Sequence, residues 1–407
     1  MVLSLAAARR LAVASQGLGP AWDLPAGPEG VARAIERLGY VQIDTISVVE
    51  RAHHHVLWSR RADYGPAMLH TLQAEQRRVF EYWTHAASYV PMANYRYYLP
   101  HMRAAERAGR YHDWLAENHE VVDLVMARIR EEGALGSADF EAPPDFAGGT
   151  WWDWKPAKRA LDVLFTCGRL MVSERRNFQR RYDLPERVLP ADIDTREPSA
   201  AEVRRFELFS ALRAHGLLAE GDLRRPVRDR AGLGRVLDEL AAAGEIVPVE
   251  VEGLNGLRHF ALPETLAQMA TDPSPEDVHL LSPFDNLIID RDRLARLFGF
   301  EYTIECYLPA EKRRYGYFNL PILWGDRFAG RLDPKAERKS RTLQVRGLTL
   351  EPDVAAEERL YPALAARLRQ YAAFNGCDEV LVEAGEVPGA AALREALATT
   401  ATAEGNG

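Results

Sequence analysis

Two polar side chains, Gln42 and Asp44, flank an apolar residue in GYVQIDTISV, after a glycine suited to ending a helix. Successive side chains of an extended segment point to opposite faces, so we expect Gln42 and Asp44 to share one face. A carboxylate can stabilise positive charge on a sugar ring during nucleophilic displacement, and it can activate water. An amide can hold that water in place. The pair is a candidate catalytic site, although an aspartate at a strand end is more often a turn residue.

A helix–hairpin pattern recurs along the chain and could position such a site. Residues 200–217, 218–228 and 232–243 have the apolar spacing of helices, and two strand-like runs follow around a Gly-Leu-Asn-Gly turn. Three helices and a hairpin predict a winged helix. Residues 156–184 show a helix–strand–turn–strand pattern, and the N-terminal 60 residues show a helix–linker–helix–extended pattern. Such units are common and need not touch DNA.

The C-terminal part has a different pattern. FEYTIECYLP and YGYFNLPILWGDRFAGRLDP alternate apolar and polar residues, which predicts strands, and DVAAEERLYPALAARLRQYAAFNG predicts a helix. We therefore predict an α+β fold of three tandem winged-helix modules followed by a C-terminal β-rich domain with a covering helix. The predicted boundaries are 1–110 for the first module with the candidate catalytic pair, 111–195 for the second, 196–272 for the third, 273–395 for the β-rich domain and 396–407 for a disordered tail.

The net charge neither supports nor excludes a nucleic-acid partner. The formal charge is -8, which by itself argues against polyanion binding. However, ten acidic and only four basic residues lie between Glu351 and Gly407, so the acidity is concentrated at that end. Binding depends on local patches rather than on the total charge.

The sequence has no pattern typical of a metal, disulfide or membrane site. Its three cysteines form no CxxC pair, so we expect reduced thiols in a cytoplasmic protein. The run His53-His54-His55 would project its side chains about 100° apart on a helix, so the three cannot bind one ion. We expect no cofactor, no metal and no membrane-spanning segment.

Several basic side chains could bind a nucleic-acid backbone if the winged-helix interpretation is correct. The histidine run and two arginines follow the candidate site directly, an arginine-rich turn occupies the position of a wing, and a second basic run lies near residue 335. Alternatively, the histidines pack or face solvent, and the charge runs are solvated faces. The candidate DNA-binding residues are His53, His54, Arg60, Arg61, Arg175, Arg176, Arg331, Lys335 and Lys339.

Long stretches of the chain resemble the bacterial winged-helix DNA glycosylases over roughly residues 3–390. They include VQIDTISVVERAHHHVLWSRR, WWDWKPAKRALDVLFTCGRLMVSERRNFQRRYDL and SPFDNLIIDRDRLARLFGFEYTIECYLPAEKRRYGYFNLPILWGDRFAGRLDPKAERKS. The resemblance implies three tandem winged helices, a β-rich C-terminal domain and a Q-Φ-Q or Q-Φ-D catalytic motif, where Φ is apolar. Gln42-Ile43-Asp44 matches the Q-Φ-D version, that of the branch with the broader alkylpurine and crosslink activity. Asp285, in the second conspicuous motif, is expected to be buried and to bridge the β-rich domain to the catalytic module.

The resemblance implies a monofunctional DNA glycosylase that hydrolyses the N-glycosidic bond of N7-alkylated purines and unhooks DNA interstrand crosslinks. Asp44 would stabilise the cation and activate water, and Gln42 would position the water. The expected partner is double-stranded DNA containing alkylated or crosslinked purines, bound by a cytoplasmic, nucleoid-associated monomer. The alternative is a winged-helix transcription regulator that binds DNA without catalysis. A carbohydrate-active hydrolase is less favoured because the sequence offers no convincing second carboxylate.

Overall fold

The computed structural model describes residues 1–19, 22–140, 156–267, 277–354, 357–383 and 389–404. The chain divides into two units. The first unit consists of Met1–Ala26, Arg37–Gly65 and Glu207–Gly407, and the second of Gly27–Glu36 and Pro66–Phe206. The predicted first module, 1–110, is thus distributed over both units.

The elements of the described residues fall into sixteen α-helices and fourteen β-strands. The helices are α1 (Leu5–Ser15), α2 (Gly27–Leu38), α3 (Ala52–Arg60), α4 (Pro66–His70), α5 (Leu99–Arg107), α6 (Gly109–Glu117), α7 (His119–Glu132), α8 (Pro156–Thr166), α9 (Pro185–Val188), α10 (Ala200–His215), α11 (Glu220–Leu223), α12 (Leu233–Ala242), α13 (Pro263–Ala267), α14 (Arg291–Phe298), α15 (Leu360–Phe374) and α16 (Ala390–Glu404). The strands are β1 (Val2–Leu3), β2 (Val41–Gln42), β3 (Val79–Trp83), β4 (Ala87–Pro91), β5 (Met171–Arg176), β6 (Gln179–Asp183), β7 (Leu217–Ala219), β8 (Val247–Val251), β9 (His259–Ala261), β10 (Val278–Leu280), β11 (Leu320–Trp324), β12 (Arg327–Glu337), β13 (Thr342–Leu350) and β14 (Glu379–Val382).

The first unit contains a four-stranded sheet in the order β1-β8-β9-β7. Strands β8 and β9 form the predicted antiparallel hairpin, and α10 and α12 supply the predicted helices before it. Leu212, Leu237 and Phe260 are among the residues of the shared core, which explains why the apolar spacing identified these helices. The two-residue strand β1 adds to the hairpin in parallel, with Leu3 beside Val251.

A five-stranded sheet in the order β10-β11-β12-β13-β14 forms the predicted β-rich part of the first unit. Its first four strands are antiparallel, and β14 runs parallel to β13. Helix α15 contacts β10 and β14 and buries Leu364, Leu368 and Tyr371. The covering helix is therefore confirmed.

The second unit contains two antiparallel hairpins, β3–β4 and β5–β6. Helix α8 leads into β5, as the helix–strand–turn–strand pattern predicted. The turn residues Asn177 and Phe178 both have positive φ, 48° and 67°. Two such residues are typical of the type I′ turn, whose twist matches that of the paired strands.

Three local predictions differ from the structure. The run FEYTIECYLP forms no strand, because its groups bond to a neighbouring loop, with the Tyr302 hydroxyl donating to the Asn319 carbonyl at 2.5 Å. Residues 396–404, predicted as disordered, lie in α16, an alanine-rich segment with high helix propensity. Residues 218–228, predicted as one helix, form the end of β7 and the single turn α11.

Candidate active site

The candidate catalytic pair lies where α2 gives way to the short strand β2. Gly39 ends the helix with a φ of 77°, a conformation that glycine adopts without strain. Strand β2 ends at Gln42, whose side chain is buried with 8% exposure. Asp44 therefore lies in the loop after the strand, where its Oδ1 accepts a hydrogen bond from the Ile46 amide at 2.7 Å. This contact makes Asp44 a turn residue as well as a candidate catalytic one.

The Asp44 carboxylate is partly desolvated and fixed in place. Burial raises the pKa of Asp44 above its ordinary value, while hydrogen bonds from the amides of Ile46 and Thr45 act in the opposite direction. A carboxylate with fewer water neighbours acts more strongly on a nearby positive charge, because less solvent screens it. The arrangement suits electrostatic stabilisation of a cation.

The negative charge of Asp44 acts on a loop that sequence reasoning did not connect with the site. The pKa of Cys306 is raised by burial and then by the negative charge of Asp44. The pKa of Tyr307 is raised by burial and by the charges of Cys306 and Asp44. This loop belongs to FEYTIECYLP, whose alternation indicated only a strand, so no local signal related it to the catalytic motif.

The second conspicuous motif, SPFDNLIIDR, holds the start of the segment that carries Gln42 and Asp44, called the catalytic segment below. Asn286 donates from Nδ2 to the carbonyls of Tyr40 at 3.0 Å and Leu38 at 3.5 Å. Asp285 is fully buried and binds Arg60 through two contacts, at 2.6 and 2.9 Å. The prediction that Asp285 is buried is confirmed, and its partner Arg60 lies 225 residues away in the sequence.

The loop that carries Asp44 is held at its C-terminal end by C-terminal elements of the same unit. The Ala336 amide donates to the Val48 carbonyl at 3.0 Å, and Arg338 donates to the Ser47 carbonyl at 3.1 Å. The Glu50 amide donates to Asn375 Oδ1 at 2.6 Å, immediately after α15. The loop that carries Asp44 is therefore anchored at both of its ends.

The histidine run packs inside the first unit. His53 and His55 are both 1% exposed, and His55 Nε2 lies 2.8 Å from the Leu280 carbonyl. His54 Nδ1 lies 2.6 Å from the Tyr64 hydroxyl. Burial lowers the pKa of both His54 and His55 to about 4, which keeps them neutral at physiological pH. The prediction that His53 contacts DNA is therefore wrong, because its ring is enclosed by the protein.

Four of the predicted phosphate-binding arginines serve internal partners. Arg60 is buried against Asp285, and Arg331 is 7% exposed beside Glu351 with its guanidinium 4.1 Å from the Tyr315 ring centroid. The predictions for these two residues are wrong, because phosphate has no access to their guanidinium groups. Arg61 binds Asp63 and the Leu24 carbonyl, and Arg175 binds the buried Glu81.

Three of the predicted DNA contacts remain accessible. Arg176 is 68% exposed beside Glu174 on β5, Lys335 is partly exposed beside Glu337 on β12, and Lys339 is exposed in the turn after β12. Their positions are compatible with phosphate binding, because an exposed ion pair is weak and exchanges readily with another anion.

Within the described residues, no group of three His, Cys, Asp or Glu side chains is placed to hold a metal ion. A cavity of about 510 Å³ lies elsewhere in the first unit, lined by Asp222, Arg225, Asp290 and Arg296 among others. Neither Gln42 nor Asp44 lines it. No helix in the described part of the chain is long and apolar enough to cross a membrane.

Comparison with known proteins relates the sequence and the fold to one group of enzymes. The family model described as "DNA glycosylase AlkZ-like" matches residues 35–374, which include the candidate catalytic pair and Asp285. The fold is similar to that of the Streptomyces sahachiroi DNA glycosylase AlkZ, with a TM-score of 0.62 and 19% identity. That match covers 94% of this chain and 100% of the other. The chain belongs to the AlkZ-like DNA glycosylase family and is a DNA glycosylase that acts on DNA.

Proposed function

We propose that this enzyme hydrolyses the N-glycosidic bond of N7-alkylated purines, including those in interstrand crosslinks, and leaves an abasic site. The observation that carries the proposal is a single fixed, partly desolvated carboxylate, Asp44, directly after a strand that ends in Gln42. We assign to Asp44 the stabilisation of the cationic transition state and the activation of water. We assign to Gln42 the positioning of that water.

One carboxylate suffices because the leaving group is already activated. An N7-alkylguanine carries a positive charge, so the electron pair of the bond between C1′ and N9 leaves with the base without protonation by an acid. The positive charge then moves to the sugar ring, where Asp44 stabilises it electrostatically. Water attacks C1′ and transfers a proton to the carboxylate, which restores a neutral sugar and completes the hydrolysis.

The exposed residues around Asp44 support the inclusion of bulky and crosslinked lesions among the proposed substrates. Thr45 and Ser47, on either side of Ile46, are exposed, and so is Tyr307. A lesion can therefore approach Asp44 without full rotation into an enclosed base pocket, which a crosslinked base could not undergo. Selection then rests on the charge of the lesion rather than on its shape.

We propose the module organisation deduced from the sequence as the framework of this site. Its support is the pair of helix–hairpin arrangements, α8 with β5–β6 and α10–α12 with β8–β9, together with the following five-stranded sheet. We further propose that Arg176, Lys335 and Lys339 bind phosphate and that the enzyme works as a monomer on chromosomal DNA at the nucleoid.

A panel of duplexes with one defined lesion each tests the proposed substrate. The duplexes carry 7-methylguanine, an N7–N7 interstrand crosslink or unmodified guanine, and the product is revealed by strand cleavage in alkali. We expect cleavage of the first two only, and only after alkali, since no step forms a covalent bond to the protein. Absence of base release from both damaged duplexes contradicts the proposal, and protection of one undamaged sequence in a footprint would instead indicate a regulator.

A further inference from the structure

Two neighbouring apolar side chains project into solvent from the loop beside the catalytic carboxylate. Tyr307 is 74% exposed and Leu308 is 37% exposed, whereas most large apolar side chains of the described residues are buried. Leaving such surface in water forgoes stabilisation that burial would supply. A contiguous exposed apolar pair next to a catalytic group is therefore a candidate for contact with the substrate.

The backbone that carries these side chains is held from the inside. The Leu308 amide donates to the Glu305 carbonyl at 2.9 Å, and the Leu308 carbonyl accepts from Arg313 Nε at 2.9 Å. The buried Glu305 carboxylate accepts from the Tyr315 amide at 2.7 Å. Pro309 follows directly and restricts its own φ. Because this backbone is already ordered, little further conformational entropy is lost when a ligand binds to the two side chains.

The charges around this pair complement a nucleic-acid backbone. Lys312 and Arg314 are exposed a few residues further along the same loop, and the Arg313 guanidinium lies 4.8 Å from the Tyr317 ring centroid. Aromatic and aliphatic groups interleaved with cations are typical of surfaces that contact bases and phosphates together. Strand β12 holds both this loop and the segment that carries Asp44, because Asp333 accepts from the Phe318 amide and Ala336 donates to the Val48 carbonyl.

We propose that Tyr307 and Leu308 form a wedge that packs against the base pair next to the lesion and opens the base step there. This inference rests on the proposed role of Asp44. The wedge exposes the sugar C1′ to the carboxylate while the bulk of the lesion stays outside an enclosed pocket. Lys312 and Arg314 bind the phosphates on either side. The occupant is duplex DNA, the partner under the proposed function.

Single-turnover release of 7-methylguanine tests the contribution of the wedge. Tyr307→Ala and Leu308→Ala should each lower the rate constant, by about tenfold for the tyrosine, because stacking on an aromatic ring is lost. Tyr307→Phe should keep most of the rate, since the ring rather than the hydroxyl makes the contact. Leu381→Ala, which truncates a side chain that is 52% exposed on β14, serves as the matched control with an unchanged rate.

The opening of the base step is measured by the fluorescence of 2-aminopurine placed next to the lesion. Every protein in this experiment also carries Asp44→Asn, so that the lesion is not released during the measurement. The fluorescence should rise on binding, and Tyr307→Ala should reduce the rise. Wild-type rates for Tyr307→Ala and Leu308→Ala, an equal fluorescence rise, or equal losses for Tyr307→Phe and Tyr307→Ala would each overturn the wedge. Such results leave the role of Asp44 intact, whereas release of 7-methylguanine by Asp44→Asn at the wild-type rate would refute that role, and absence of release by the wild-type enzyme would refute the proposed function itself.

Discussion

At the scale of single residues, the proposed site depends on a carboxylate that the fold makes harder to ionise. Burial raises the pKa of Asp44, and hydrogen bonds from backbone amides partly offset this effect. Burial also strengthens the effect of the ionised carboxylate on a sugar cation, so the raised pKa and the proposed catalytic role have one cause.

The raised pKa predicts an acid limb in the rate profile. Only the ionised form of Asp44 stabilises a cation, so base release should fall as pH decreases through a pKa above the ordinary aspartate value of about 3.9. The measurement is the single-turnover rate of 7-methylguanine release from about pH 4 to pH 8, after subtraction of spontaneous loss from the same duplex without enzyme. A rate that stays level across the whole range would contradict a required carboxylate.

Sequence alone pointed to Gln42 and Asp44 as the candidate catalytic pair but misplaced several cations. The spacing of Gln42 and Asp44 is local and readable, whereas the partner of Arg60 lies 225 residues away at Asp285. Nothing in VVERAHHHVLWSRR distinguishes an arginine that enters the core from one that faces solvent. The same long-range pairing explains why Arg331 was predicted to be accessible and is not.

At the scale of elements, the catalytic segment is fixed by structures far away in the sequence. Asn286 holds its start, while Ala336 on β12 and Asn375 directly after α15 hold the loop that follows. Such positioning matters because small displacements of a reacting group reduce the rate strongly.

The buried ion pair between Arg60 and Asp285 should be costly to break. Arg60→Met leaves an unpaired buried carboxylate, for which we expect a loss of about 3–5 kcal/mol in the free energy of unfolding. Arg235→Met, which removes an exposed pair with Glu239, should cost no more than about 1 kcal/mol. Urea denaturation of both variants provides the measurement, and equal costs would argue against the structural role of the Arg60 pair.

The anchor that Arg338 supplies, directly after β12, should affect catalysis rather than binding. Arg338→Met releases the Ser47 carbonyl, so we expect about a tenfold lower kcat with little change in KM. Arg341→Met is the matched control, because that neighbouring guanidinium binds Asp378 instead. A rise in KM alone for Arg338→Met would indicate phosphate binding in place of loop positioning.

Periodicity predicted helices and hairpins best where a single segment buries its own apolar face. Helices α10 and α12 and strand β9 share one local core, so their pattern was informative. Strand β1 has two residues and pairs with Glu250 and Val251, which leaves no local signal. The segment that contains Tyr307 has the alternating polarity of a strand, but side-chain hydrogen bonds to a neighbouring loop hold it in the structure. Its place near Asp44 therefore could not be predicted from the pattern.

At the scale of the whole molecule, an acidic protein acts on a polyanion. The net charge of -8 is concentrated toward the C-terminus, while exposed cations such as Arg176 and Lys339 lie elsewhere. The charge of local surface patches therefore decides DNA binding, and the net charge of the whole chain did not predict a DNA partner.

Each accessible cation that binds phosphate should contribute to the salt dependence of DNA affinity. Arg176→Ala and Lys339→Ala should each reduce the slope of log Kd against log salt by about one. Arg359→Ala, in the acidic C-terminal region, should leave the slope unchanged although its side chain is 69% exposed. Fluorescence anisotropy with an undamaged duplex gives the slopes, and identical values for all three variants would exclude the two proposed contacts.

The central claim is that the Asp44 carboxylate drives base release, and Asp44→Asn tests it most directly. Asparagine keeps an acceptor for the Ile46 amide and removes a buried charge, so the melting temperature at neutral pH should not fall. We predict that single-turnover release of 7-methylguanine drops by at least about 10²-fold while affinity for the same duplex is retained. Release at the wild-type rate by this variant would contradict the account.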